Sequence, residues 1–349
     1  MIERASKVTD DRLTAGKYDR EMSVHCLSEF AFCGRAGLCA YEQDRQYEEE
    51  DQRVRLNYLP IFEPEELARK LKELIGHLKW ILFGGMGMFG VTLAGAWFSD
   101  GMALWIVPLV VLVATIYGLW DRGCHAYLAE KELDAWRRAT GQRPDPDCPY
   151  IQELDWRNIV ASGLTIRRPP AAYQYAPWKL GGRPWRILEE GDLKIPVFRH
   201  GSNWQGLHDQ HFVRMAAYCY LLEQNEGFRV PYGIVLVSGS FLAVTVPNTA
   251  KNHERFRRAL LEARQVARNA GESNEFPPVP AGGRFCSKCH LGVPVAVRKR
   301  IEYLRHGIPN PINANPDQDG EEYHSHCGDR FRSIPPHKLA VRKGVWREA

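Results

Sequence analysis

Charge is missing from two long stretches of this 349-residue chain. Residues 80–99 hold no Asp, Glu, Lys, Arg or His over 20 positions, and residues 102–120 hold none over 19. At 1.5 Å per residue each reaches about 30 Å, the thickness of a bilayer's hydrocarbon core. Soluble core helices of that length seldom lack charge altogether. A disulfide scaffold is also excluded: the nine cysteines are odd in number and thinly spread, which favours a reducing compartment. The N-terminus, MIERASKVTDDR, lacks an apolar h-region, so no cleavable signal peptide is expected. Strong charge bias is absent as well. A formal charge of +4 permits an anionic partner without demanding one, and 44% apolar content supports a real core.

The two uncharged stretches predict membrane spans over about 80–99 and 102–120, joined by a tight turn at Asp100-Gly101. Lys70, Lys72 and Lys79 precede them and Arg122, Lys131, Arg137 and Arg138 follow, so both termini are expected on the cytoplasmic side of the inner membrane. Gly84, Gly85, Gly87, Gly90 and Gly95 are expected to bring the two helices close, and the spans read as an anchor, not a transport path. Around this hairpin (61–139) the chain divides into a polar, mobile N-terminus (1–21) and a helical segment (22–60) with Ser28 as helix N-cap. A proline-rich linker (140–150), an α/β region (151–272), a Cys/His-bearing element (280–337) and a basic tail (338–349) follow.

Within the α/β region, residues 181–218 read as strand, polar turn (Glu189-Glu190-Gly191-Asp192), strand, loop and helix, the helix having apolar residues at Phe212, Met215, Ala216, Cys219 and Leu222. Strands follow over 233–237 and 242–246. A helix over 252–269 carries Arg255, Arg257, Arg258, Arg264 and Arg268 as a solvated face. His208, Asp209 and His211 form a small polar cluster at the first helix's start. Near the C-terminus, Cys286-x2-Cys289 and His324-x2-Cys327 are separated by 34 residues, with His326 and His337 as spare donors. Two knuckles, each presenting two soft ligands, suit a closed tetrahedral zinc site with a structural role.

Three segments in order resemble the RecB-type PD-(D/E)XK nucleases, in particular the CRISPR-associated exonuclease (Cas-four) branch. They are LSEFAFCGRAGLCAY (27–41), with Cys33-Gly34-Arg35 where the family has Cys-Pro-Arg; residues 181–233, closing in GFRVPYGIVLV; and Cys286-x2-Cys289. The likeness covers roughly residues 22–42 and 178–290. It implies a restriction-endonuclease-like α/β core, a mixed sheet flanked by helices, here with an inserted transmembrane hairpin and a C-terminal metal-binding element.

In active members an Asp, a Glu-x-Lys and a Gln-x3-Tyr assemble a Mg²⁺ or Mn²⁺ site whose carboxylates hold the ion while the lysine serves the attacking water. The corresponding positions here are Trp185, Phe198, His200, Arg214 and Tyr218, of which Tyr218 alone keeps the family residue. Tryptophan and phenylalanine cannot ligate a hard cation, so the resemblance implies a catalytically degenerate site. A rival frame, Asp192-Leu193-Lys194, lies in the polar turn, and with it a working DNA nuclease stays open.

Arg199, His200, Arg214 and Tyr218, with Trp185 and Trp204 for stacking, are the residues expected to bind nucleic acid. The family's iron–sulfur cluster implies a 4Fe-4S alternative to zinc, built from Cys33, Cys286, Cys289 and Cys327, although Cys327 stands 38 residues beyond Cys289. The expected function is therefore a membrane-anchored pseudo-nuclease binding nucleic acid or a protein partner of a CRISPR or phage-defence system. A working nuclease and a scaffold without nucleic-acid affinity remain as alternatives.

Overall fold

The computed structural model describes residues 13–16, 19–42, 62–98, 105–201, 204, 206–272, and two short strands at 292–294 and 323–325. In chain order the elements are β1 (Met22–Ser23), α1 (Val24–Phe32), α2 (Gly34–Glu42), α3 (Pro64–Trp97), α4 (Ile106–Arg137), β2 (Glu153–Asp155), α5 (Trp156–Ala161), β3 (Thr165–Arg167), β4 (Tyr173–Tyr175), β5 (Leu180–Gly182), β6 (Arg186–Glu190), β7 (Leu193–His200), α6 (Asp209–Glu226), β8 (Tyr232–Val237), β9 (Leu242–Pro247), α7 (Ala250–Glu272), β10 (Gly292–Pro294) and β11 (Tyr323–Ser325).

Contiguous buried runs in β6 and β7, covered on both faces, set the architecture. The strands form an antiparallel hairpin over the turn Gly191-Asp192, where Gly191 takes φ +54. After β7 the chain crosses through α6 and returns as β8, parallel to β7, with Val197 opposite Ile234. β9 pairs antiparallel with β8, and the sheet closes as six strands in the order β2-β9-β8-β7-β6-β3. A three-stranded sheet, β1-β5-β4, stands beside it. The result is a mixed α/β fold with sheets flanked by helices.

Because side chains alternate along β7, its two faces feed separate cores. Phe198 packs with α1, α6 and α7 through Leu27, Met215, Ala217 and Phe256. Ile195 and Val197 point the other way, into a cluster with Leu67 and Leu74 of α3, Ala129 and Trp136 of α4, and Trp156 of α5. α6 lies tight on the sheet because Gly233 offers no side chain: a Cβ there would sit 2.1 Å from Met215 Cε. The helix ends at Gly227, whose φ of +71 suits the left-handed cap.

The helical hairpin is therefore no loose tether. α3 opens with Pro64 and carries Glu65 and Glu66 in its first turn, where the helix dipole favours acid. Its 34 residues extend about 50 Å. The lower turns of both helices are built into the sheet's core, while the upper turns run free of the protein. Both helices are long and apolar enough to cross a membrane, and only 6% of each apolar window is buried. Of the five span glycines, only Gly85 meets the partner helix: a Cβ would lie 2.4 Å from Thr115 Cγ2, whereas Gly84, Gly87, Gly90 and Gly95 have nothing within 4 Å. The turn at Asp100 lies outside the described residues.

Two local expectations differ from the structure. Residues 24–41 form two helices broken at Cys33, and the N-cap is Ser23, whose Oγ accepts from the Cys26 N–H at 3.0 Å. Ser28 instead donates to the His25 carbonyl at 2.8 Å. The N-terminal segment, expected to be mobile, is docked where it is described. Leu13 is fully buried, the Arg264 guanidinium donates to the carbonyls of Leu13 and Trp178, and Arg268 grips Asp19 through Nε and Nη2 at 2.9 and 2.7 Å. Of the arginines read as a solvated face, Arg264 is thus an internal clamp and Arg268 a part-exposed one.

Gly85→Leu should force the hairpin apart and destabilise the solubilised protein by roughly 1–3 kcal/mol, the usual range for overpacking. Gly84→Leu, facing outward, should leave the thermal midpoint nearly unchanged. Thermal melts of the two variants side by side check this.

Candidate functional site

The degenerate positions do not converge on one cleft. Alternation along β6 would place residue 185 on the α6 side with Ile187. The chain leaves the strand at Trp185, however, and the indole turns to the opposite face. There its ring lies 5.6 Å from Phe62 and 6.1 Å from Trp156 (centroid distances), beneath the base of the hairpin. Arg199, one residue from Phe198, shares that face: it is 8% exposed, its guanidinium carbon 5.5 Å from the Trp185 ring and 5.9 Å from Phe62. Arg186 also lies over Trp185, at 4.6 Å, and its Nε donates to Glu63 at 2.8 Å.

Phe198, His200, Arg214 and Tyr218 do come together, between β7 and α6. Arg214 is 7% exposed and stacks on Phe198 at 4.1 Å. Its Nε donates to Ser28 Oγ at 3.0 Å and its Nη2 reaches His25 Nδ1 at 2.9 Å, both on α1. Tyr218 is buried, its hydroxyl 3.5 Å from the Arg183 carbonyl. The fold brings the four positions together, with the Arg214 cation on the aromatic face of Phe198 and its N–H groups spent on α1.

Above them, at the start of α6, sits a histidine cluster. The His208 N–H donates to His211 Nδ1 at 2.9 Å, which puts the His211 proton on Nε2. Nε2 then faces His200 Nδ1 at 3.4 Å, so His200 carries its own proton on Nε2. Trp204 closes the mouth, 5.4 Å from His200 and 5.5 Å from His211. Burial, reinforced by His200, Arg214 and His208, pushes His211 down to about 3. The imidazole is therefore neutral at physiological pH, held as a hydrogen-bond relay between the loop and β7.

Asp192 is exposed in the hairpin turn, and Lys194 lies across from Glu189 in the ladder, its Nζ 3.0 Å from Glu189 Oε1. Arg167 bonds the same carboxylate and reaches Glu226 at 2.7 Å, and Tyr173 also donates to Glu226. This network pins β3, β6 and β7 to the C-terminal end of α6. Of the rival frame it engages Lys194, and Asp192 stays outside it.

Among the described residues, no three or more His, Cys, Asp or Glu side chains stand where they could hold a metal ion. Cys286, Cys289 and Cys327 lie outside the described residues, as do His326 and His337. His324 is placed only as backbone, in β11. Cys33 is described, half-buried at the junction of α1 and α2. Sequence reasoning missed His25 and Ser28 as the partners of Arg214. Their signal was faint: a polar pair, three apart, on a helix otherwise read for its apolar face. It also missed Glu223 on α6, whose carboxyl burial raises to about 7 against bonds from Val230 and Asn248.

No protein-family model and no curated protein matches this chain.

His211 yields a pH prediction. Its folded value lies near 3, below the value of about 6.5 for an unfolded histidine. The unfolded state thus takes up the proton first, and stability is full above pH ~6.5 and falls as pH drops from there towards 3, by up to about 1.4 kcal/mol per unit. Denaturant midpoints measured across that range should fall less steeply for His211→Gln than for the parent, and equal slopes would remove His211 from the account.

Proposed function

We propose that this chain is a membrane-anchored, non-hydrolytic PD-(D/E)XK-like protein whose α/β domain serves as an interaction platform at the cytoplasmic face of the membrane. One observation supports the reading of lost hydrolysis: Arg214 stacks on Phe198 at 4.1 Å, at two of the positions where the resemblance expects catalytic residues. The order of elements supports the fold assignment. A β6–β7 hairpin followed by α6 and a parallel β8 follows the order of segments on which the family resemblance rests. The apolar windows of α3 and α4, exposed along their length, support the anchor, and the exposed Lys72, Lys79 and Arg122 at its base support cytoplasmic termini.

A platform for a protein partner is favoured over a nucleic-acid groove. Arg199 and Arg214, the cations expected to meet phosphate, are buried on opposite faces of the sheet and spend their charge on internal contacts. The full chain, incubated with Mg²⁺ or Mn²⁺ and single- or double-stranded DNA, should leave the DNA intact. Metal-dependent cleavage lost on Asp192→Ala would overturn the reading in favour of the nuclease. Salt-sensitive DNA binding weakened by Arg199→Ala or Arg214→Ala, in variants that keep their fold, would replace the protein partner with nucleic acid.

Zinc is the proposed resident metal. β10 starts three residues after Cys289 and β11 ends two residues before Cys327, and these strands pair antiparallel with Gly292 opposite Ser325. The pairing supports two half-sites held near one another. Bound zinc would be a structural tie. Metal analysis of the purified protein should return zinc, reduced in Cys286→Ser, and the protein should be colourless; a brown protein containing iron would assign the cluster instead.

A further inference from the structure

The hairpin carries two aromatic girdles whose spacing bears on the kind of membrane it fits. The antiparallel register of α3 and α4 is fixed by two close approaches, Gly118 against Ile81 and Gly85 against Thr115. This register sets Trp80 level with Trp120, and at the other end the rings of Trp97 and Trp105 stand 6.4 Å apart. At the lower level Trp80, Tyr117 and Trp120 are 79%, 72% and 73% exposed. At the upper level Trp97, Phe98 and Trp105 are exposed as well. Lys79 and Arg122, both exposed, lie just outside the lower ring. Between the rings the surface is apolar and open: Phe83, Met86, Val91, Leu109, Val110 and Val113 all face outward.

Amphipathic aromatic rings settle at the boundary between hydrocarbon and headgroups, with basic residues on the headgroup side. The 17 steps from Trp80 to Trp97 rise about 26 Å, and the 15 from Trp105 to Trp120 about 22 Å. Both fall short of the average hydrocarbon core of about 30 Å. Tilting the hairpin shortens its projection on the membrane normal, so tilt only widens the shortfall.

We propose that the surface between the two girdles is matched to a thin phospholipid bilayer, with a hydrocarbon core of about 25 Å, and that Lys79 and Arg122 meet the anionic headgroups of its lower leaflet. This rests on the membrane-anchor reading and adds to it the thickness and depth of the lipid.

The test reconstitutes the full chain into phosphatidylcholine–phosphatidylglycerol vesicles of fixed headgroup ratio and three acyl lengths: dimyristoleoyl, dioleoyl and dierucoyl. The fraction resisting alkaline extraction and its thermal midpoint are read in each. Both should be highest in dimyristoleoyl vesicles, and extraction-resistant protein should drop several-fold in dierucoyl. A variant with one turn of four leucines inserted after Val91 and another after Val110 should shift the optimum to a longer chain. An optimum in dierucoyl, no dependence on chain length, or an optimum that ignores the insertion overturns the matching while leaving the anchor in place. Absence of extraction-resistant protein in every lipid overturns the anchor, and the matching with it.

Discussion

The joint between hairpin and sheet is the constraint on which the remainder rests. Trp156 is fully buried and donates its Nε1–H to the Phe62 carbonyl at 2.8 Å, just ahead of α3. Phe62 in turn packs against Trp185 and, at 5.0 Å, Phe241. Burying one such aromatic contributes on the order of 2–3 kcal/mol, and a buried indole N–H without an acceptor costs about 1–3 kcal/mol. Glu132 to Arg157 at 2.9 Å and Glu63 to Arg186 at 2.8 Å close the joint from both helices. A segment inserted between α2 and β2 has thereby become one wall of the core.

That joint also explains the residues at the degenerate positions. Trp185 serves the hairpin, and its bend out of the strand takes it away from the α6 side. With an aromatic pair beneath it, Arg199 is held by ring faces. On the other side Arg214 is held by Phe198, Ser28 and His25. Trp185, Phe198 and Arg214 each contribute packing or hydrogen bonds to an element beside them. The charge of Arg199 and Arg214 is turned inward.

Much of this was legible from residue order. The apolar runs of β6 and β7 and the helical spacing from Phe212 to Leu222 each reflect burial by a neighbouring layer, and the two uncharged runs mark the long apolar helices. What escaped depended on atoms distant in sequence. The side on which Trp185 falls is set by a bend at the strand's first residue, which alternation does not encode. Arg264 looked solvent-facing because its partners, the carbonyls of Leu13 and Trp178, are backbone groups with no residue-type signature. Likewise five glycines in one span looked alike, and only the register against α4 singles out Gly85.

The contact between Arg264 and Leu13 joins residues 251 positions apart, and this has a bearing on how the protein is made. A chain leaves the ribosome N-terminus first, at about 5–20 residues per second. Leu13, β1 and α1 are synthesised early, yet β5, α6 and α7, which bury them, emerge only after the hairpin has been completed. The two apolar helices are therefore complete while the α/β region is still without a core, and that region closes afterwards against their lower turns. Synthesis thus has a fixed order, hairpin first and sheet second, so the wall is made before the core that it encloses.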